Sequence, residues 1–323
     1  MFAVRTGWRR NFRSFGGVRC SVLVTGVTGY VGSTLVPHLL AAGHDVRGLA
    51  RDPSRASVDV PVLAGDAVTG EGLAAALCGI DVAYFLIHSM EPTAADPFAV
   101  RERAAAERFA EAARAAGVRR IVYLGGLAPA SGTASPHLAS RLAVERILLR
   151  SVPDSVALRA SIVIGAWSRP FRFLVRLVER LPVMPLPAWA ARRTQPIDER
   201  DIVTALVRAG AGDTVGGETL DVGGPDIVTY GELIARIADL MLVSRPSLSL
   251  GPMSVTPVAS RIAARVTGER PELIAPLMGS LETDLVARDD RAVTVLALRL
   301  HSLQAAIEHA LGEWERSQTL RAR

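Results

Sequence analysis

The sequence predicts an α/β protein with a doubly wound parallel sheet and a smaller, mostly helical C-terminal lobe. Apolar runs of strand length alternate with amphipathic helical patterns along most of the chain. The first strand ends in a turn with glycines at three-residue spacing: Gly26, Gly29 and Gly32. The fourth strand, 81–87, is nearly all apolar, which is typical of a parallel strand buried on both faces.

The glycine turn is the strongest functional signal. Gly26 lets the chain turn sharply, Gly29 lets the backbone approach a pyrophosphate, and Gly32 lets helix 31–42 pack on the strand. The free N–H groups at the start of this helix favour a phosphate. A βα turn that binds nothing is the alternative, but the flanking strand and helix favour a dinucleotide. The predicted cofactor contacts at the turn are Thr25, Gly26, Thr28, Gly29, Tyr30, Val31 and Gly32.

The end of the second strand, 45–50, distinguishes the two nicotinamide cofactors. An acidic residue there accepts a hydrogen bond from the ribose 2′-hydroxyl of NAD, whereas an arginine accommodates the 2′-phosphate of NADP. Ala50 occupies the acid position, Arg51 follows, and Asp52 comes one residue too late and begins a turn. The sequence therefore favours NADP(H) over NAD(H). An ordinary surface charge is the alternative for Arg51.

The fourth strand ends at the carboxyl edge of the sheet, where ligands bind in this type of fold. Leu86 and His88 are therefore candidate cofactor contacts. The other elements predicted in this half are a third strand at 61–64, a short helix at 71–77, a long helix at 98–116 and a fifth strand at 119–124.

These motifs resemble the short-chain dehydrogenase/reductase superfamily, in its atypical and extended branches. The resemblance rests on Leu-Val-Thr-Gly-x-Thr-Gly-Tyr-Val-Gly at 23–32, the strand at 84–90, Val-Tyr-Leu-Gly-Gly-Leu at 122–127 and His-Leu-Ala-Ser-Arg at 137–141. It covers residues 19–243 and is closest to NAD(P)H-binding, NmrA-like and nucleoside-diphosphate-sugar-epimerase-like bacterial proteins. It implies a Rossmann-type fold with an NAD(P)(H) cofactor, and it places Asp66 beside the adenine. A loop or capping role is the alternative for Asp66.

The chain departs from this superfamily at the catalytic position. Most active members place a Tyr and a Lys four residues apart at the start of the next helix, with a Ser or Thr after the fifth strand. Here His137 stands at the tyrosine position and Arg141 at the lysine position, and Gly125-Gly126 replaces the hydroxyl. His137 is the candidate acid/base, and Arg141 the candidate contact to the ribose or nicotinamide. Merely starting a helix is the alternative for His137.

The second half is expected to supply the substrate side. The apolar, proline-rich segment 181–189 is incompatible with a regular helix, and we interpret it either as a lid or as a packed connector. The resemblance implies that the junction before Glu199 faces the substrate, so Arg193 and Gln195, with Gly126, are candidate substrate contacts. A surface ion-pair role is the alternative at this junction. The further elements predicted are a strand at 155–160, helices at 171–180 and from 199, a strand at 218–222, a capping box at 229–232 that opens a helix to 243, and helices at 255–266, 272–281 and 300–314.

Composition sets the remaining limits. The chain has 323 residues, 49% of them hydrophobic, and a net charge of +5 without a single lysine. Mechanisms that need a lysine are therefore excluded. The arginines are interleaved with acids along the helices, so nucleic-acid binding is not expected. Two cysteines and the lack of a Cys/His cluster predict a reducing interior and no metal site. No apolar run reaches about 18 residues, so we expect no membrane span and a cytoplasmic location.

Three divisions of the chain are predicted. Residues 1–17 form a disordered tail or reflect a start codon placed too early, because no apolar run of a signal peptide follows Arg9-Arg10. Residues 18–243 form the NAD(P)-binding domain with substrate-side insertions after 165, and 244–323 form the helical lobe. The amphipathic last helix is expected either to cover the lobe or to form a homo-oligomer contact.

Two hypotheses about function follow. The first is an NADP(H)-dependent oxidoreductase that acts on a small apolar molecule without the usual Tyr/Lys pair. The second is a non-catalytic, dinucleotide-sensing regulatory or assembly protein. The missing Tyr, Lys and Ser/Thr favour the second hypothesis, and the apolar, arginine-edged second lobe favours the first.

Overall fold

A computed structural model describes residues 19–87, 98–129, 135–212, 215–249 and 281–317. The strands are β1 (Ser21–Thr25), β2 (Asp45–Ala50), β3 (Val62–Ala64), β4 (Val82–Phe85), β5 (Arg120–Gly126), β6 (Val156–Ala160), β7 (Val163–Ile164), β8 (Met184–Leu186), β9 (Arg193–Thr194), β10 (Ile197–Asp198), β11 (Glu218–Val222), β12 (Val228–Thr229) and β13 (Ser247–Ser249). The helices are α1 (Tyr30–Ala41), α2 (Leu73–Leu77), α3 (Phe98–Ala115), α4 (Pro136–Ser151), α5 (Arg169–Arg180), α6 (Glu199–Ala211), α7 (Tyr230–Leu240), α8 (Arg291–Val295) and α9 (Leu303–Ser317).

Seven strands form a sheet in the order β11-β6-β5-β4-β1-β2-β3, and every neighbouring pair is parallel. The chain winds outward from β1 to β3 and then returns to β4 on the other side of β1. The strand order therefore reverses between β1 and β4, which is where doubly wound sheets bind their ligands. This confirms the fold class that the sequence predicts.

The sheet is buried on both faces because successive side chains of each strand point to opposite layers. Val22 and Val24 pack in the layer that holds α1 and α6, whereas Leu23 packs in the layer that holds α2 and α3. Tyr84 and Phe85 divide in the same way. The continuous apolar character of these strands is the direct consequence of two covered faces.

A second core lies beyond the sheet and joins α5, α7 and α9. The proline-rich segment contributes Met184 and Trp189 to it, and both side chains are buried. Within that segment β8 pairs with β13, and residues 188–191 form one turn of 3-10 helix. These contacts favour the packed connector over the lid.

The part of the predicted C-terminal lobe that the structure describes contacts both cores. Ala292, Leu296 and Leu298 pack in the core of the sheet, whereas Trp314 of α9 packs in the second core. The tail at 1–17 and most of the helices predicted at 255–266 and 272–281 lie outside the described residues. No helix in the described ranges combines the length and apolarity needed to cross a membrane.

Candidate functional site

The turn after β1 has the geometry that its three glycines predict. Gly26 has a φ of +68°, and a Cβ on it would lie 2.7 Å from the carbonyl oxygen of Leu86. A Cβ on Gly32 would collide with the carbonyl oxygen of Gly26 and lie 3.0 Å from the Cα of Val27. Gly29 is exposed, and its N–H donates to the carbonyl oxygen of Gly26 at 2.9 Å. Gly26 and Gly32 therefore pack closely against backbone atoms, whereas Gly29 faces solvent.

Helix α1 begins at this turn with Gly29 as its N-cap, so no side chain caps the helix. The first N–H groups of a helix have no partner within it. Those of Tyr30, Val31 and Gly32 therefore suit an anion, and the exposed Thr28 lies beside them.

Thr25 stabilises the turn through its side-chain hydroxyl. Its buried hydroxyl donates to the carbonyl oxygen of Tyr84 at 2.9 Å and accepts from the N–H of Leu86 at 3.2 Å. These two hydrogen bonds tie the end of β1 to the end of β4. The contacts favour a structural role for this side chain over the predicted contact with a cofactor. Leu86, also a predicted contact, is half-buried against Gly26, and His88 lies outside the described residues.

At the end of β2, Arg51 is exposed. Within the described ranges it makes no hydrogen bond or ion pair. The carboxylate of Asp52 accepts from the N–H and the hydroxyl of Ser54 at 3.1 and 2.6 Å, and these bonds hold the pKa of Asp52 below its usual value. Ala50 is buried in the core. The strand end therefore presents an exposed guanidinium, while one oxygen of the nearby carboxylate is engaged in its own turn.

Asp66, predicted to lie beside the adenine, closes a turn. Its carboxylate accepts from the N–H of Val68 at 2.8 Å, and its carbonyl oxygen accepts from the N–H of Gly70 at 2.8 Å. These contacts favour the alternative of a loop residue.

Tyr30 reaches from the glycine turn to the start of α6. Its hydroxyl donates to the carboxylate of Glu199, and a Cβ on Gly165 would collide with both side chains. Burial raises the pKa of the Tyr30 phenol far above its usual value, and the charge of Glu199 raises it further. Burial also raises the pKa of Glu199. Tyr30 therefore joins the glycine turn to α6 through this hydrogen bond, and its contact with a cofactor stays a prediction.

The two residues predicted to be catalytic have different surroundings on α4. His137 is half-buried in the first turn, with its ring centroid 5.5 Å from that of Phe98. Arg141 is buried one turn later, 3.7 Å from Glu102 and over the ring of Tyr123 at 5.1 Å. It also donates to the carbonyl oxygen of Leu124. These contacts hold Arg141 inside the protein, and its contact with a cofactor stays a prediction.

The predicted substrate residues Arg193 and Gln195 bind the segment before α8. Arg193 donates through its Nε to Asp284 at 3.0 Å. Gln195 donates to the carbonyl oxygen of Gly224 at 2.7 Å and accepts from the N–H of Ala287 at 2.9 Å. Both side chains therefore hold a later part of the chain in place. Gly126, the third candidate, is half-buried at the carboxyl end of β5, beside Leu138 of α4.

Comparison with known proteins identifies the family. Residues 26–149 match a family described as NAD(P)H-binding. Over 228 residues the chain is 31% identical to the (4-alkanoyl-5-oxo-2,5-dihydrofuran-3-yl)methyl phosphate reductase of Streptomyces griseus, covering 68% of this chain and 73% of the relative. The chain belongs to the NAD(P)H-binding short-chain dehydrogenase/reductase superfamily.

Two other proteins are similar to this chain. The chain is 25% identical over 229 residues to the mitochondrial NADH dehydrogenase [ubiquinone] 1 alpha subcomplex subunit 9 of Arabidopsis thaliana, covering 68% of this chain but only 57% of the plant protein. A short-chain dehydrogenase/reductase superfamily protein from Agrobacterium tumefaciens, solved with bound NAD, has the same fold with a TM-score of 0.67, 18% identity and coverage of 92% and 98%.

This short-chain dehydrogenase/reductase contains site features that the sequence did not reveal. Glu199 contacts Tyr30, which lies 169 positions earlier in the sequence, and Glu102 contacts Arg141, which lies 39 positions later. Both acids lie in helical patterns of ordinary surface character, so their burial depends on helix packing. Arg55, exposed after the turn that Asp52 starts, adds a second cation near Arg51; its charge contributes to the lowered pKa of Asp52.

Proposed function

We propose that this protein binds NADP(H) in preference to NAD(H) and acts as an oxidoreductase on a small, largely apolar molecule. Exposed Arg51, directly after β2, is the observation that carries the cofactor preference. We place the protein in the cytoplasm, because Cys20 and Cys78 form no disulfide bond, as is usual in a reducing compartment.

The residues at the turn fit a dinucleotide. The N–H groups at the start of α1 would hold the pyrophosphate, and Gly29 leaves room for it. Arg51 would pair with the 2′-phosphate, and Arg55 would add to the positive potential there. An NAD ribose would find no carboxylate at the strand end itself, because Ala50 stands there and the Oδ1 of Asp52 accepts two hydrogen bonds from Ser54 in the turn that follows.

The matched test of this proposal is a calorimetric titration of wild type, Arg51→Ala and Arg150→Ala with NADPH and NADH. Arg150 is an exposed arginine in the last turn of α4, so its variant controls for net charge. A charge-assisted hydrogen bond contributes about 1.5 kcal/mol, so Arg51→Ala should weaken NADPH binding by about tenfold and leave NADH binding unchanged. Equal losses for both cofactors, or an equal loss in Arg150→Ala, would contradict the assignment.

The substrate class rests on the sequence, in which the second half is apolar and edged by arginines, and the reaction class rests on the relatives. The Streptomyces relative is named as a reductase. When bound, the nicotinamide supplies or accepts a hydride. A reductase of this kind must also deliver a proton, and His137 is the candidate donor because imidazole titrates near neutral pH.

His137→Ala tests that role. A panel of small enones and ketones with NADPH would first identify a substrate for the wild-type protein. In His137→Ala we expect kcat to fall by at least about a hundredfold, in keeping with the usual contribution of a general acid, while the Kd for NADPH is retained. Unchanged turnover would remove His137 from the mechanism.

The second candidate function is a non-catalytic, dinucleotide-sensing assembly or regulatory protein. It is favoured by the buried position of Arg141, which leaves the usual lysine position directed at Glu102. The plant relative is also named as a subunit of a larger complex. Tight NADPH binding by wild type, without NADPH consumption across the whole panel, would favour this function over the first.

A further inference from the structure

Three metal-ligating side chains meet where α9 packs against the start of α6. Glu199, His309 and Glu313 each direct one ligand atom to the same place, and these atoms all lie within 4.8 Å of one another. His309 and Glu313 are one turn apart on α9, with 3.7 Å between Nε2 and Oε1. The position of α9 is fixed by its apolar face, including Ile307 and Trp314, in the second core.

Two carboxylates and one imidazole share this place. Glu199 is only 9% exposed, and its described hydrogen bond comes from the neutral phenol of Tyr30. The adjacent arginine, Arg200, is engaged with Asp198 through two contacts of 2.5 and 2.9 Å. The second carboxylate of the group, Glu313, is half-buried and faces the same space, with Arg316 3.9 Å away on its other side. Two carboxylates at one partly buried place repel each other, so a cation between these side chains would be stabilising.

We propose that Glu199, His309 and Glu313 form a site for a divalent metal ion of the zinc class. Imidazole together with carboxylate suits Zn²⁺, whereas Mg²⁺ and Ca²⁺ are usually held by oxygen ligands alone. Bonds of about 2.1 Å in a tetrahedral site place the ligand atoms about 3.4 Å apart. The separations seen here are 3.7 Å between His309 and Glu313 and at most 4.8 Å within the group, so they must shorten by about 1.4 Å or less to reach that value. Water, or the oxygen of Tyr30, would complete four ligands.

The location gives the metal a structural consequence. Glu199 starts α6, and the other two ligands lie on α9. Tyr30 of the glycine turn is hydrogen-bonded to Glu199 and so links the site to that turn. A bound ion would therefore cross-link the last described helix to the sheet domain next to the proposed pyrophosphate site. The sequence does not reveal this site because Glu199 lies 110 positions before His309.

The test uses the full chain after dialysis against a chelator, titrated calorimetrically with ZnCl₂ and, separately, MgCl₂. We expect one Zn²⁺ per chain with micromolar or tighter affinity, a higher unfolding temperature with Zn²⁺, and no comparable effect of Mg²⁺. His309→Gln should weaken Zn²⁺ binding at least about tenfold, since loss of even an outer-shell partner costs that much. Glu199→Gln, which keeps the shape and a hydrogen-bond acceptor for Tyr30, should weaken it similarly.

Glu315→Gln is the matched control, because Glu315 lies exposed on the same helix two residues from Glu313. It should bind Zn²⁺ as wild type does. The proposal is overturned if wild type binds no stoichiometric Zn²⁺, or if His309→Gln and Glu199→Gln bind it as tightly as Glu315→Gln does. Circular dichroism of each variant without metal would separate a lost ligand from a lost fold.

Discussion

Replacing Gly32 by alanine should damage the glycine turn although alanine is the better helix former. In an ordinary helix interior the change from glycine to alanine gains about 0.5–1 kcal/mol. Here the added Cβ would collide with the carbonyl oxygen of Gly26 and lie 3.0 Å from the Cα of Val27. Both neighbours are backbone atoms, so relief requires α1 to move away from β1. Overpacking of this kind costs about 1–3 kcal/mol, and because the clash is with backbone we expect the upper end, a net loss of about 2 kcal/mol.

The comparison variant is Gly312→Ala in α9, where an added Cβ would meet nothing within 4 Å. Equilibrium denaturation should show a lower free energy of unfolding for Gly32→Ala and an equal or higher one for Gly312→Ala. Because the shift displaces the N–H groups of the turn, Gly32→Ala should also bind NADPH at least about tenfold more weakly, a loss of about 1.4 kcal/mol. Wild-type stability and affinity in Gly32→Ala would refute the reasoning.

Three further variants test the surroundings of the site. Thr25→Val should lower the free energy of unfolding by about 1–3 kcal/mol in urea titrations, because the N–H of Leu86 loses its acceptor. Arg141→Ala should lower the free energy of unfolding by about 3 kcal/mol, because it removes a cation 3.7 Å from the buried carboxylate of Glu102. Adding Glu102→Gln should restore part of that stability, and no restoration would contradict the pairing. Asp284 has a folded pKa below its usual value, chiefly because it accepts a backbone hydrogen bond, so its stabilisation is present above pH 3.8 and is lost as the pH falls through the folded pKa. Asp284→Asn should therefore be less stable than wild type at pH 7 and equal to it near pH 2, as measured by urea denaturation at both pH values.

The elements of the sheet domain could be predicted because the residues that determine each of them are close together in the sequence. Strand β2 has the predicted bounds, and α6 begins at Glu199 as expected. The capping box at α7 also forms, with Thr229 accepting from the N–H of Glu232 at 3.1 Å and Glu232 accepting from the N–H of Thr229 at 2.7 Å. Each of these features depends on residues a few positions apart, which is where turn and cap chemistry acts.

The surroundings of the candidate site could not be predicted in the same way. Alignment with the superfamily puts Arg141 at a lysine position, but the direction of its guanidinium depends on Glu102 of another helix. Likewise, Gln195 is engaged by Ala287, which lies 92 residues later. A pattern of residue types shows which interactions a side chain can make. Long-range packing determines which partner the side chain contacts.

Titration of the wild-type protein with NADPH and with NADH under identical conditions tests the central claim most directly. We expect micromolar binding of NADPH, at least about tenfold tighter than NADH, which corresponds to about 1.4 kcal/mol at the 2′-phosphate. Equal affinities, or tighter binding of NADH, would contradict the role of Arg51. Failure to bind either cofactor would contradict the dinucleotide site itself.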